Sequence, residues 1–140
     1  MKKLLFIALA FCTSAVFAQT KADDVAKFKT ETYDFGKINQ GVPVTATFEV
    51  TNIGKEPLII DQAQPSCGCT VSDYTKAPIA PGKTGVIKAT FNAAAMGPIN
   101  KQVTVKFAGI EDVKFLKFTG EVVKAGTAPK PPVAKKQTKS

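Results

Sequence analysis

Val42, Val44, Ala46, Phe48 and Val50 alternate with Pro43, Thr45, Thr47, Glu49 and Thr51. Side chains return to one face every second residue in a strand and every 3.6 residues in a helix, so this run predicts a half-buried strand with one apolar face. The pattern recurs in Ile87, Ala89 and Phe91 against Lys88 and Thr90, and in Val103, Val105 and Phe107 against Thr104 and Lys106. Leu116, Phe118 and Val122 mark a last strand and Phe28 to Tyr33 a first. Leu58 to Ala63 forms another, with apolar residues on both faces. No segment carries an apolar stripe at helical spacing.

The connections point the same way. Asn52-Ile53-Gly54-Lys55 predicts a hairpin turn with glycine at positive φ, and Ala80-Pro81-Gly82-Lys83 has the Pro-Gly centre of a type II turn. Gly109 to Asp112 predicts a further hairpin. Short strands at this spacing predict an all-β fold, an antiparallel immunoglobulin-like sandwich of about seven strands, with a small Greek-key barrel as the alternative.

The N-terminus assigns a compartment. Lys2 and Lys3 precede the apolar run Leu4 to Phe11, and Val16-Phe17-Ala18 supplies small residues for a signal peptidase. Residues 1–18 therefore read as a signal peptide cleaved between Ala18 and Gln19, with export to the periplasm or beyond in a bacterial envelope. Leu4 to Ala18 is shorter than the about twenty residues a spanning helix needs. Lipid attachment at Cys12 is disfavoured, because Phe11 stands where such signals want a small residue. Residues 19–26 then read as a flexible leader and 27–123 as one domain. Residues 124–140, rich in Lys, Pro and Ala with little to bury, read as a disordered tail.

All 19 basic residues are lysines, and Lys124, Lys130, Lys135, Lys136 and Lys139 lie in that tail. Residues 19–123 hold twelve lysines against eleven carboxylates, so the domain is nearly neutral. That balance argues against a nucleic-acid partner and leaves the tail weak contact with an anionic surface.

Catalytic chemistry has few carriers. The chain contains no histidine, so it lacks the commonest general base and metal ligand. Ser66, Ser72 and Ser140 have no imidazole to activate them, and Asp61, Asp73, Glu111 and Asp112 are scattered as solvated faces and turn caps. The expectation is a noncatalytic protein without a cofactor, acting through a protein or envelope contact. Asp34-Phe35-Gly36 spells the magnesium-binding triplet of kinases, but no phosphate loop or catalytic-loop motif accompanies it. It reads as the bend after the first strand, with Asp34 accepting backbone amides and Phe35 plugging the sandwich end.

Cys67 and Cys69 are the only thiols beyond the signal segment. In a regular strand their Cα atoms would lie about 6.6–6.8 Å apart, at the upper edge of what a disulfide spans, and a turn at Gly68 with positive φ would shorten that. Three readings stand open. The pair is structural, as packed thiols or a local disulfide. It is a redox pair, although no His or Lys adjoins it in sequence to lower a thiol pKa. Or Cys67, Cys69 and the soft side chain of Met96 hold a low-coordinate copper ion.

The motifs Tyr33-Asp34-Phe35-Gly36-Lys37-Ile38, Phe48-Glu49-Val50-Thr51-Asn52-Ile53-Gly54 with Pro57-Leu58, Ser66-Cys67-Gly68-Cys69-Thr70, Pro78-Ile79-Ala80-Pro81-Gly82 and Gly120-Glu121-Val122 occur here in order. This set resembles the bacterial family known as domain of unknown function 1573 across Phe28 to Val123. The resemblance implies an exported Ig-like module akin to Hydin-type and major-sperm-protein domains. It carries no established activity.

Overall fold

The computed structural model describes residues 19–129; residues 1–18, read above as a signal peptide, and residues 130–140 of the expected tail lie outside the described residues. Two four-stranded sheets face each other. One contains β1 (Ala26–Phe28), β3 (Val44–Asn52), β6 (Thr84–Phe91) and β5 (Thr70–Tyr74), in that spatial order. The other contains β2 (Thr32–Asn39), β8 (Val113–Val123), β7 (Gly97–Phe107) and β4 (Ile60–Pro65). All neighbours are antiparallel except β2 and β8, which run parallel. The order corresponds to the ABED and CFG sheets of an immunoglobulin sandwich, with β2 added beside the last strand. The fold is an Ig-like β-sandwich and not a barrel.

The alternating residues build the core. Ala46, Phe48 and Val50 are buried while Thr45, Thr47 and Glu49 are exposed, and Ile87, Val103, Val105, Phe107, Leu116 and Phe118 fill the space between the sheets. Val42 was expected on that face, yet it is exposed and precedes the strand. Pro43 has no amide to extend the ladder, and the Asn92 amide that would lie opposite it is donated to the Cys69 carbonyl instead.

The expected first strand, Phe28 to Tyr33, is two strands in two sheets, which raises the count to eight. β1 pairs with β3 as far as Phe28, and the chain then crosses so that Thr32 pairs with Lys117 of β8. One stretch of chain thus closes one seam of the sandwich. The Asp-Phe-Gly triplet lies inside β2, not after a strand. It forms a bulge between Asp34 and Lys37, with Gly36 at φ 65° and its amide donated to Asp34 Oδ1 at 2.9 Å. Half-buried Phe35 packs edge-on to Phe118, 5.8 Å between centroids. Gly120 of β8 lies beneath this bulge, where a Cβ would come 2.9 Å from the Gly36 carbonyl oxygen.

Three further expectations change. The segment read as a loose leader contains a helical turn, α1 (Ala22–Val25), with Ala22 fully buried and its amide donated to Asp112 Oδ2 at 3.1 Å. Two small alanines, Ala22 and Ala26, are too little apolar surface to register as periodicity. Asn52 to Lys55 is not a hairpin: Gly54 is absent from the positive-φ glycines, and the chain crosses from β3 to β4 in the opposite sheet. The first part of the tail is held in place, because Asn39 Oδ1 accepts the amides of Gly126 and Ala128 at 3.0 and 2.9 Å. The Pro81-Gly82 turn is as expected, with Gly82 at φ 76° and the Lys83 amide donated to the Ala80 carbonyl at 2.9 Å. The β7–β8 hairpin, with Gly109 at φ 75°, is too.

Candidate functional site at the Cys67–Cys69 corner

Cys67-Gly68-Cys69 forms the corner at which the chain leaves β4 in one sheet and enters β5 in the other. Pro65 ends the β4–β7 ladder opposite Val103, and Ser66 extends it by one reciprocal pair. The Ser66 amide is donated to the Gln102 carbonyl at 2.9 Å and the Gln102 amide to Ser66 Oγ at 3.3 Å. The backbone then turns, with the Thr70 amide donated to the Cys67 carbonyl at 3.3 Å. This turn brings the two cysteine Cα atoms to 5.3 Å, and the sulfurs form a disulfide. Gly68 does so without the positive φ that was one way to shorten the separation, and a Cβ there would meet nothing within 4 Å. The corner is therefore open on its outer side.

Below the corner the seam between β4 and β5 is stitched by hydroxyls. Ser72 Oγ donates to the Ala63 carbonyl, and Tyr74 Oη donates to the Asp61 carbonyl at 2.9 Å. Both acceptors are edge carbonyls of β4 that face away from β7, so two sheet edges that would otherwise stand bare cover one another. The disulfide sits at the end of this seam.

Cys69 is half-buried against the core and lines a groove of about 230 Å³ with Phe91, Met96, Pro98, Ile99 and Lys101. One wall of the groove is the β6–β7 connection. It starts with Asn92, whose amide binds the Cys69 carbonyl at 3.1 Å, and passes through buried Ala93 at φ 52°, a conformation that costs a non-glycine residue energy and often marks a functional loop. The Ala93 carbonyl accepts the Gly41 amide at 2.9 Å, which fixes the loop to the β2–β3 turn. Val71 and Met96 beside the corner are 70% and 62% exposed.

The structure thus brings two of the three singled-out soft residues, Cys69 and Met96, to one groove and joins Cys67 to Cys69. A copper ion would need both sulfurs as thiolates, and the disulfide leaves neither as a ligand. Among the described residues there is no cluster of three His, Cys, Asp or Glu side chains able to hold a metal. Lys101 was not singled out from the sequence. It belongs to the core-facing series of β7 with Ile99 and Val103, both buried, and no register is visible in a sequence.

A second charged feature lies elsewhere. Lys114 of β8, only 15% exposed, makes ion pairs with Asp23 at 2.5 Å and Glu31 at 2.8 Å. The hydrogen bonds that its ammonium donates to the Asp23 and Glu31 carboxylates raise its pKa above the usual lysine value of 10.5. The arrangement is a bracket between β8 and the N-terminal segment. It spends its charges on one another.

These features define an Ig-like sandwich with a disulfide-bearing corner. The model of the family described as protein of unknown function (DUF1573) matches residues 26–122, and the chain belongs to that family. No curated protein matches it. Among solved structures it is similar to a protein of unknown function from Porphyromonas gingivalis W83, at 17% identity and a TM-score of 0.60, covering 70% of this chain and 46% of that one. It is also similar to the ASH / PapD-like domain 7 of human CEP192, at 12% identity and a TM-score of 0.59, covering 81% and 96%. A third similar structure is the secreted serine protease VesC from Vibrio cholerae, at 13% identity and a TM-score of 0.56, covering 76% and 25%. The chain thus spans about half or less of two of these three. At these identities the likeness concerns the fold.

Proposed function

We propose that this protein is an exported, noncatalytic Ig-like module of the bacterial envelope that binds another protein at its Cys67–Cys69 corner. The observation that carries the reading is the apolar surface there. Val71 and Met96 are the two most exposed large apolar side chains among the described residues; Met96 lines the groove beside Cys69, and Val71 follows Cys69 by two residues at the start of β5. Exposed apolar surface concentrated at one spot is the mark of an interaction site. The lack of histidine leaves no ordinary general base, which supports a binding role over a catalytic one. Export is supported by the tripartite pattern of residues 1–18 and by a disulfide, a bond that persists in oxidising compartments. The fold's occurrence as a fraction of longer chains supports a modular role.

The test is a double Val71→Asp, Met96→Asp variant in the native host. Both side chains are exposed, so the variant should fold with an unchanged melting temperature. It should lose partners that crosslink to the wild type in the envelope fraction. Unchanged crosslinking would overturn the reading. Intact mass of the recovered protein checks export, with Gln19 expected as the first residue.

A further inference from the structure

Lys101 is out of place as a packing residue. It occupies the core-facing series of a central strand, between buried Ile99 and Val103, where an apolar side chain would serve the fold better. No carboxylate pairs with it among the described residues. It lines the groove together with Cys69, and it stands one residue beyond the last reciprocal β4–β7 pair, as Cys67 does on the other strand. Lys101 precedes Gln102 and Cys67 follows Ser66, and Gln102 and Ser66 form the last reciprocal pair of the ladder. A lysine 32 residues from Cys69 in sequence is thereby brought to the same groove, and is the cation that the local sequence lacks.

A cation beside one sulfur of a disulfide favours that sulfur as the leaving thiolate. We propose that the corner is a thiol–disulfide exchange site for an extended polypeptide segment bearing a cysteine among apolar side chains. This rests on the contact reading, because the groove must hold the segment. The occupant's chemistry follows from the groove: apolar walls from Phe91, Met96 and Pro98, a disulfide that a cysteine thiolate opens by exchange, and a lone ammonium to balance the thiolate produced. The partner's thiolate sulfur attacks Cys67 Sγ with its electron pair, and a bond forms between them. The Cys67–Cys69 bond breaks with its pair going to Cys69, which leaves as a thiolate beside Lys101. The charge is conserved, and the disulfide itself is the oxidant. The two-residue spacing keeps Cys69 within reach, so the reverse attack releases the partner and restores the disulfide.

The test uses the full mature chain, a six-residue peptide with one cysteine between valine and phenylalanine, its serine counterpart, and reduced glutathione. Intact mass after acid quenching reads the mixed disulfide, and calorimetry reads binding of the serine peptide. The cysteine peptide should react at least tenfold faster than glutathione. Lys101→Met, which removes the charge and keeps most of the unbranched side chain, should retain the melting temperature and, at peptide concentrations that saturate the groove as read with the serine peptide, react at least fivefold more slowly. Lys101→Arg should recover most of the rate. Equal rates for wild type and Lys101→Met overturn the role of the cation. If the serine peptide binds but no mixed disulfide forms with the cysteine peptide, exchange fails and the contact reading stands. If neither peptide binds, this groove is not a peptide site and both readings of it fall.

Discussion

Phe48 is where the sequence pattern and the packing demand the same side chain. It is fully buried, on the face shared by Ala46 and Val50, and meets Tyr33 edge-on at 6.5 Å. Phe48→Ala should cost about 3–5 kcal/mol, close to the whole stability of a domain this size, and urea unfolding checks it. Replacing Cys67 and Cys69 together by alanine should cost only about 1–2 kcal/mol, because a loop closed across two residues removes little unfolded-chain entropy. Lys114 gives a pH dependence. Its pKa is raised by the Asp23 and Glu31 carboxylates, so its contribution is complete below about pH 10.5 and fades as pH rises through the folded-state value. Melting temperatures should therefore drop between pH 9 and strongly alkaline conditions by more in the wild type than in Lys114→Met. An equal drop would show that the bracket adds nothing. Phe48 was legible in the sequence because period two names its face. Lys101 was not, because its place in one groove with Cys69 depends on the β4–β7 register and on a sheet-crossing corner, neither of which leaves a local pattern.

At the scale of elements, the crossing from β3 to β4 turns on Asn52. Its side chain is fully buried. Nδ2 donates to the Glu56 carbonyl at 2.7 Å and the Ile79 carbonyl at 2.8 Å, and Oδ1 accepts the Gly54 amide at 2.9 Å. One asparagine thus replaces the hairpin that the Asn-Ile-Gly sequence suggests, and sends the chain to the other sheet beside the Leu58–Ile79 bridge. Asn52→Ala strands two carbonyls and an amide and should cost about 3 kcal/mol in denaturant titration. A loss below 1 kcal/mol would mean that water takes over those bonds. The strands with one apolar face, β3, β6 and β7, were legible from alternation alone. The β1–β2 division was not, since a strand that changes sheets keeps its extended backbone and only its partners differ. Asn39 plays a smaller part of the same kind at the other end. A chain ending at Val123 should lose about 1 kcal/mol relative to one ending at Pro129, because the Gly126 and Ala128 contacts with Asn39 go with it.

For the whole molecule, the pairing of β2 with β8 sets how load passes through the domain. These two strands are parallel neighbours, one near the start of the domain and the other at its end, joined across six residue pairs from Thr32–Lys117 to Asn39–Val123. Tension between the two chain ends pulls β2 toward its N-terminal end and β8 toward its C-terminal end. The ladder between them is then sheared lengthwise, with its hydrogen bonds strained together and not opened one by one. The three-residue β1 peels first, and the bulge at Gly36 divides the ladder into two blocks of three pairs. A domain wired in this way resists stretching along its ends far better than peeling at β4 or β5, where pairing runs along one edge.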